Sequence, residues 1–74
     1  MLRKRSFSLA GHRTSVALEE PFWAALDAIA ARDGLALSAL VARIDGERMP
    51  ETSLASALRV LALHQAGKVF SAGH

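Results

Sequence analysis

From Arg13 to Leu18 the chain reads Arg-Thr-Ser-Val-Ala-Leu, with the two-residue alternation of a strand. Glu19-Glu20-Pro21-Phe22-Trp23 then opens an amphipathic helix at once. The residues beyond Trp23 have helical patterning, so this reads as a solitary strand. A solitary strand is not a viable element, because its backbone donors and acceptors need a ladder partner. The expected partner is therefore the same strand of a second copy of the chain.

Chain length adds a second constraint. Seventy-four residues make one domain near the lower limit for a self-sufficient core, and there is no cysteine to supply a disulfide or a thiolate metal site. Yet 51% of the residues are apolar, a large share for so much surface. Self-association resolves the mismatch by burying the surplus against another copy, so the expected state is a homodimer, with a tetramer or higher assembly left open. No apolar run reaches the roughly 20 residues that span a bilayer. Met1-Leu2-Arg3-Lys4-Arg5 begins like an export signal, but Ser6, Ser8, Gly11, His12 and Arg13 interrupt any apolar core behind it. A cytoplasmic protein with no membrane partner is expected.

The net charge of +2 conceals an asymmetry. Arg3, Lys4, Arg5 and Arg13 give the first eighteen residues a charge of +4 with no acid, whereas the remainder carries five bases against seven acids. A basic end on a mildly acidic body suits a polyanion, although a charged terminus also serves solubility alone.

Along the chain, residues 1–5 read as a flexible basic arm within an N-terminal segment (1–12) that accommodates an extra strand. Arg5-Ser6-Phe7-Ser8-Leu9 alternates with Phe7 and Leu9 on one face, and Ala10-Gly11-His12 breaks the pattern before Thr14, Val16 and Leu18 resume it. A long strand bulged at Gly11 and a hairpin turning there both fit. A first helix is predicted over Pro21–Asp33, with Pro21 at its first position, Glu19 and Glu20 at the positive end of its dipole, and Gly34 as its left-handed stop. Phe22, Leu26, Ile29 and Ala30 form its apolar stripe, which Trp23 and Ala25 widen. A second helix is predicted over Leu37–Glu47, with Leu37, Leu40, Val41 and Ile44 on one face and Pro50 forbidding simple continuation. Thr52 or Ser53 caps a third helix that runs to Gln65 or Ala66, with Gly67 as terminator. Leu54, Leu58 and Leu61 mark its seam. Val60 and Leu63 fall off that seam, so this helix is apolar nearly all round and is expected to be clamped between copies. The tail (67–74) carries little pattern and is expected to be disordered.

A strand, a helix, a glycine turn and a second helix within about residues 12–47 resemble the ribbon-helix-helix superfamily of bacterial repressors (the Arc, MetJ and CopG type). Gly34-Leu35-Ala36-Leu37-Ser38-Ala39-Leu40-Val41 looks like the family's turn between its two helices. Gly11-His12-Arg13-Thr14-Ser15-Val16, Leu18-Glu19, Phe22-Trp23 and Ser53-Leu54-Ala55-Ser56-Ala57-Leu58-Arg59 are similar to a narrower group of short, stand-alone bacterial members. The fold class expected from this likeness is mainly α with one short strand: an intertwined ribbon-helix-helix dimer over residues 13–66, with an extra C-terminal helix.

The resemblance implies that two copies pair their strands antiparallel, and that a two-stranded ribbon, narrow enough for the DNA major groove, carries alternate side chains into it. Thr14, Val16 and Leu18 would then face a shared core with Phe22, Trp23, Leu26, Ile29, Leu40, Val41 and Ile44. Arg13, Ser15 and Ala17 would face DNA. Arg13 can donate two hydrogen bonds to a guanine edge, Ser15 can donate or accept at several bases, and Ala17 offers a methyl contact to thymine. Arg3, Lys4 and Arg5 stand as phosphate contacts or as a soluble tail. His12 stands as a further DNA contact or as a locally bonded turn residue. The family's hydroxyl cap, where the second helix grips a phosphate, is replaced here by Ala36, and Ser38 is expected to cap a shorter helix instead.

The expected function is a dimeric DNA-binding regulator of transcription, with double-stranded DNA as partner. The alternative is an oligomeric protein-interaction module or antitoxin-like adaptor of the same fold; a membrane-surface role for the arm has too few apolar residues behind it. His12, His64 and His74 lack the spacing of a metal pair, so no metal or cofactor is expected. The serines sit in no nucleophile-elbow or Ser-His-Asp context and no carboxylate pair is arranged for acid–base work, so catalysis is not expected.

Overall fold

The chain reverses at Ala10 and Gly11, whose φ angles of 51° and 81° are both positive. That pair defines the mirror-image two-residue turn whose twist suits antiparallel strands. In the computed structural model it joins β1 (Leu2–Leu9) to β2 (His12–Glu19), and α1 (Glu20–Arg32), α2 (Leu37–Glu47) and α3 (Leu54–Ala72) come after them in the chain. The structure describes the backbone of residues 1–72 and the side chains of residues 1–65.

The hairpin corrects two expectations. Residues 2–5 are not a free arm but the first half of β1, and β2 is not solitary, because β1 of the same chain pairs with it along its whole length, Leu2 opposite Glu19 and Leu9 opposite His12. The physical reason is proximity. Closing a two-residue loop costs little chain entropy, whereas recruiting a second molecule costs translational freedom. The fold class is accordingly three helices behind a two-stranded antiparallel sheet, not one short strand.

Alternation assigns the two faces of that sheet. Phe7, Leu9, Val16 and Leu18 point inward and are buried, whereas Lys4, Ser6, Ser8, Arg13 and Ser15 point outward and are exposed. Ala17, on the same outward row, is half-buried. The inward row meets Trp23, Leu26, Ile29 and Ala30 of α1, Leu40 and Val41 of α2, and Leu54, Leu58 and Ala62 of α3. Of the core positions expected to be shared by two copies, Val16, Leu18, Trp23, Leu26, Ile29, Leu40 and Val41 are already buried within one chain. Thr14, Phe22 and Ile44 are half-buried. The covering side chains are Phe7 and Leu9 from β1 together with the buried face of α3.

Local chemistry explains the helix limits. Glu20 is the first residue of α1 and Pro21 the second, one position later than expected. At its far end Gly34 (φ 69°) donates to the Ala31 carbonyl at 3.2 Å and Leu35 to the Ala30 carbonyl at 2.8 Å, the paired bonds of a Schellman stop. Ser53 caps the start of α3, accepting the Ser56 N–H on its hydroxyl at 3.1 Å. Gly67 does not end α3, which continues to Ala72; the last two residues of the expected tail lie outside the described residues.

Candidate nucleic-acid interface

The outward face of the hairpin is built by register. Lys4, Ser6 and Ser8 of β1 stand opposite Ala17, Ser15 and Arg13 of β2. The Ser6 and Ser15 hydroxyls lie 3.0 Å apart, and Arg13 donates to the Ser8 hydroxyl at 3.2 Å. These contacts align a row of hydroxyls with a guanidinium at one end and an ammonium toward the other. From Lys4 to Ala17 this face carries no carboxylate.

The other two arginines of the N-terminal cluster have turned the opposite way. Arg3 meets the Glu20 carboxylate at 3.1 Å, and Arg5 meets Asp27 at 3.3 Å while its guanidinium sits 4.9 Å from the centre of the Trp23 ring. Trp23 in turn donates its indole N–H to the Arg3 carbonyl at 2.7 Å. Glu20, Trp23 and Asp27 lie on one face of α1, so this helix clasps β1 through alternate residues. The ion pairs lie at the surface, with Arg5 the least exposed of the four side chains, and contribute little individually; the buried indole does the anchoring.

The same pairing recurs elsewhere. Arg32 and Arg43 flank Asp33, Arg48 holds Asp45 at 2.9 Å, and Arg59 holds Glu19 at 3.1 Å. Among the described residues, Lys4 and Arg13 are the only lysine or arginine side chains without a carboxylate partner. Both stand on the outward face of the hairpin.

Glu19 ties the sheet to the helices. Its carboxyl is held below the usual carboxylate range, first by its own backbone N–H and then by Arg59, with the Met1 ammonium adding to the effect. Because that side chain is turned to Arg59, it does not cap α1, whose N-terminus has no side-chain hydrogen bond.

The remaining expected site residues are spread wider. His12 is exposed beside the turn, at the tip of the hairpin. Ser38 is exposed in the first turn of α2 but does not cap it. Ala36 occupies the cap position without a side-chain bond, since α2 starts at Leu37, which packs against the core, and not after Ser38. Ser6 and Ser8 belong to the outward face and were not among the expected site residues. Their alternation with Phe7 and Leu9 carried the signal, which only the choice of a hairpin makes usable.

Residues 2–66 match the ribbon-helix-helix domain family, and the chain belongs to it. No curated protein and no solved structure matches the chain. Among the described residues no helix is long and apolar enough to cross a membrane.

Proposed function

We propose that this protein is a DNA-binding regulator of transcription that acts as a homodimer and sets the outward face of its β-ribbon into the major groove. The observation that carries this reading is the sorting of charge: among the described residues, the two arginine or lysine side chains left without carboxylates both project from that face. Membership of a family made up generally of DNA-binding regulators and antitoxins supports it.

On this reading Arg13 reads a guanine through O6 and N7, Ser15 bonds a neighbouring base edge, and Ala17 approaches a thymine methyl. Lys4, Ser6 and Ser8 serve phosphate oxygens. Arg3 and Arg5 reach phosphates only by leaving Glu20 and Asp27. His12 meets the backbone at the hairpin tip. The open N–H groups around Ser38 at the start of α2 offer a phosphate a second seat. The protein acts as a bacterial cytoplasmic repressor, without cofactor or catalysis.

A titration with DNA selected from a random pool tests the reading. Affinity should fall steeply as salt rises, and Arg13→Ala should erase about 1–3 kcal/mol of preference between sites. Binding indifferent to salt and to Arg13 overturns it.

A second reading, a protein-interaction module or antitoxin-like adaptor, is favoured by the apolar outer side of α3, where Val60 and Leu63 are 63% and 68% exposed. Purification with a stoichiometric protein partner and no retained DNA selects this alternative.

A further inference from the structure

Arg13 differs from every other described arginine in what holds it. Arg3, Arg5, Arg32, Arg43, Arg48 and Arg59 each lie against a carboxylate, whereas Arg13 donates to the Ser8 hydroxyl at 3.2 Å. A carboxylate orients a guanidinium and also neutralises it. A hydroxyl orients it and leaves the charge in place.

We infer that Ser8 is a positioning residue for Arg13: it fixes the guanidinium on the outward face before any ligand arrives, and so sets the selectivity that Arg13 expresses. The hold on Arg13 is a property of the free chain. The selectivity rests on the DNA-binding reading proposed above and deepens it, placing part of the specificity in β1, the strand that does not carry the base-reading residues.

Register gives the contact its geometry. Ser8 stands directly opposite Arg13, one pair away from the strand ends that flank the Ala10–Gly11 turn. A two-residue turn makes Leu9 and His12 a hydrogen-bonded pair, and pairs then alternate, so Ser8 and Arg13 form a non-hydrogen-bonded pair, where side chains approach more closely. The strands cannot slip by one residue to break this contact, because the slip would turn Phe7 and Leu9 out of the core.

Donor chemistry shows why the hold does not compete with reading. The bond to Ser8 uses an N–H of Arg13 Nη1, which leaves the edge formed by Nε and Nη2 free to meet O6 and N7 of a guanine. The Ser8 oxygen accepts from Arg13, so its own proton stays available to a phosphate oxygen. One hydroxyl thereby links the backbone contact to the base contact. Part of the rotamer freedom that Arg13 must give up on binding is already given up in the free chain.

The test has one arm without DNA and one with it. Ser8 is exposed, so substituting it opens no core. In the free full-length chain, NMR relaxation at Arg13 Nε should show a more mobile guanidinium in Ser8→Ala and a wild-type one in Ser8→Thr, which keeps the hydroxyl. Ser6→Ala, which removes a hydroxyl from Ser15 and not from Arg13, should leave Arg13 unchanged. Equal mobility in wild type and Ser8→Ala overturns the inference. The second arm measures the ratio of affinities for a site selected from a random pool and for the same site with its guanine replaced. Ser8→Ala should lower that ratio roughly two- to tenfold, Ser8→Thr should restore it, and Ser8→Ala should change it no further in the Arg13→Ala background. A phosphate contact shifts affinity evenly across sequences. Weaker binding by Ser8→Ala at an unchanged ratio, or a further loss in the Arg13→Ala background, therefore overturns the inference as well. A wild type without DNA affinity refutes the regulator instead, and the relaxation arm alone then confirms or refutes the hold of Ser8 on Arg13.

Discussion

Ala10 holds the left-handed backbone that an Asn or Gly takes more readily, since its Cβ crowds the neighbouring carbonyl there. Replacing it by Asn should raise stability by roughly 0.5–1 kcal/mol, read as a higher midpoint in urea, because Asn-Gly is the favoured pair for this turn. Glu19 offers a pH signature. Its folded-state pKa is lowered by its own N–H and by Arg59. The stability it contributes is therefore present above the ordinary carboxylate range and is lost as pH falls through the lowered value. Glu19→Gln should flatten the acid limb of a stability–pH curve and leave the neutral region less altered in shape; an unchanged acid limb would count against the Arg59 link. Arg5 marks the limit of sequence reading at this scale. Residue order groups it with Arg3 and Lys4 as one basic arm, yet strand alternation sends Lys4 outward while Arg5 turns over Trp23 and meets Asp27.

At the scale of elements, α2 was legible to the residue and α1 to within one, because capping is local chemistry. Gly34 can take the positive φ of a stop, and Pro21 suits the first turn of a helix. The third helix is the instructive case. Of its expected seam, Leu54 and Leu58 are buried and Leu61 is half-buried, while Val60 and Leu63 stand exposed. Its start at Ser53 follows from a hydroxyl cap, but its end could not be read, since Gly67 disfavours a helix only modestly without a competing structure. Leu58 is fully buried between the sheet and the other two helices. Leu58→Ala should cost about 2–5 kcal/mol, measured by chemical denaturation, and should loosen the hairpin as well as α3. The strands were harder to read. Both alternations were visible, but a bulged long strand and a hairpin share the same hydrophobic pattern, and only the backbone at Ala10 and Gly11 separates them.

At the scale of the molecule, folding sorts the cations. Six of the eight described lysine and arginine side chains lie against carboxylates, and the two that do not share one face. Net charge therefore understates the local potential that a polyanion meets. Lys4→Ala should weaken DNA binding evenly across sequences and lower the slope of log affinity against log salt by about one, whereas loss of Arg13 should alter preference between sites. If both substitutions act alike, their separate roles are refuted.

What residue order alone dictated here is whatever depends on near neighbours: the helix seams, the glycine stop after α1, the serine start of α3, the inward row Val16 and Leu18, and the likeness that the family match upholds. Tertiary structure decided which partner satisfies β2, which arginines are held by acids, and that Phe7, Leu9, Leu54 and Leu58 close the core within one chain. The physical reason is that capping and periodicity act over a few residues. Strand pairing and charge pairing instead choose among partners distant in sequence, and that choice exists only once the chain has folded back on itself.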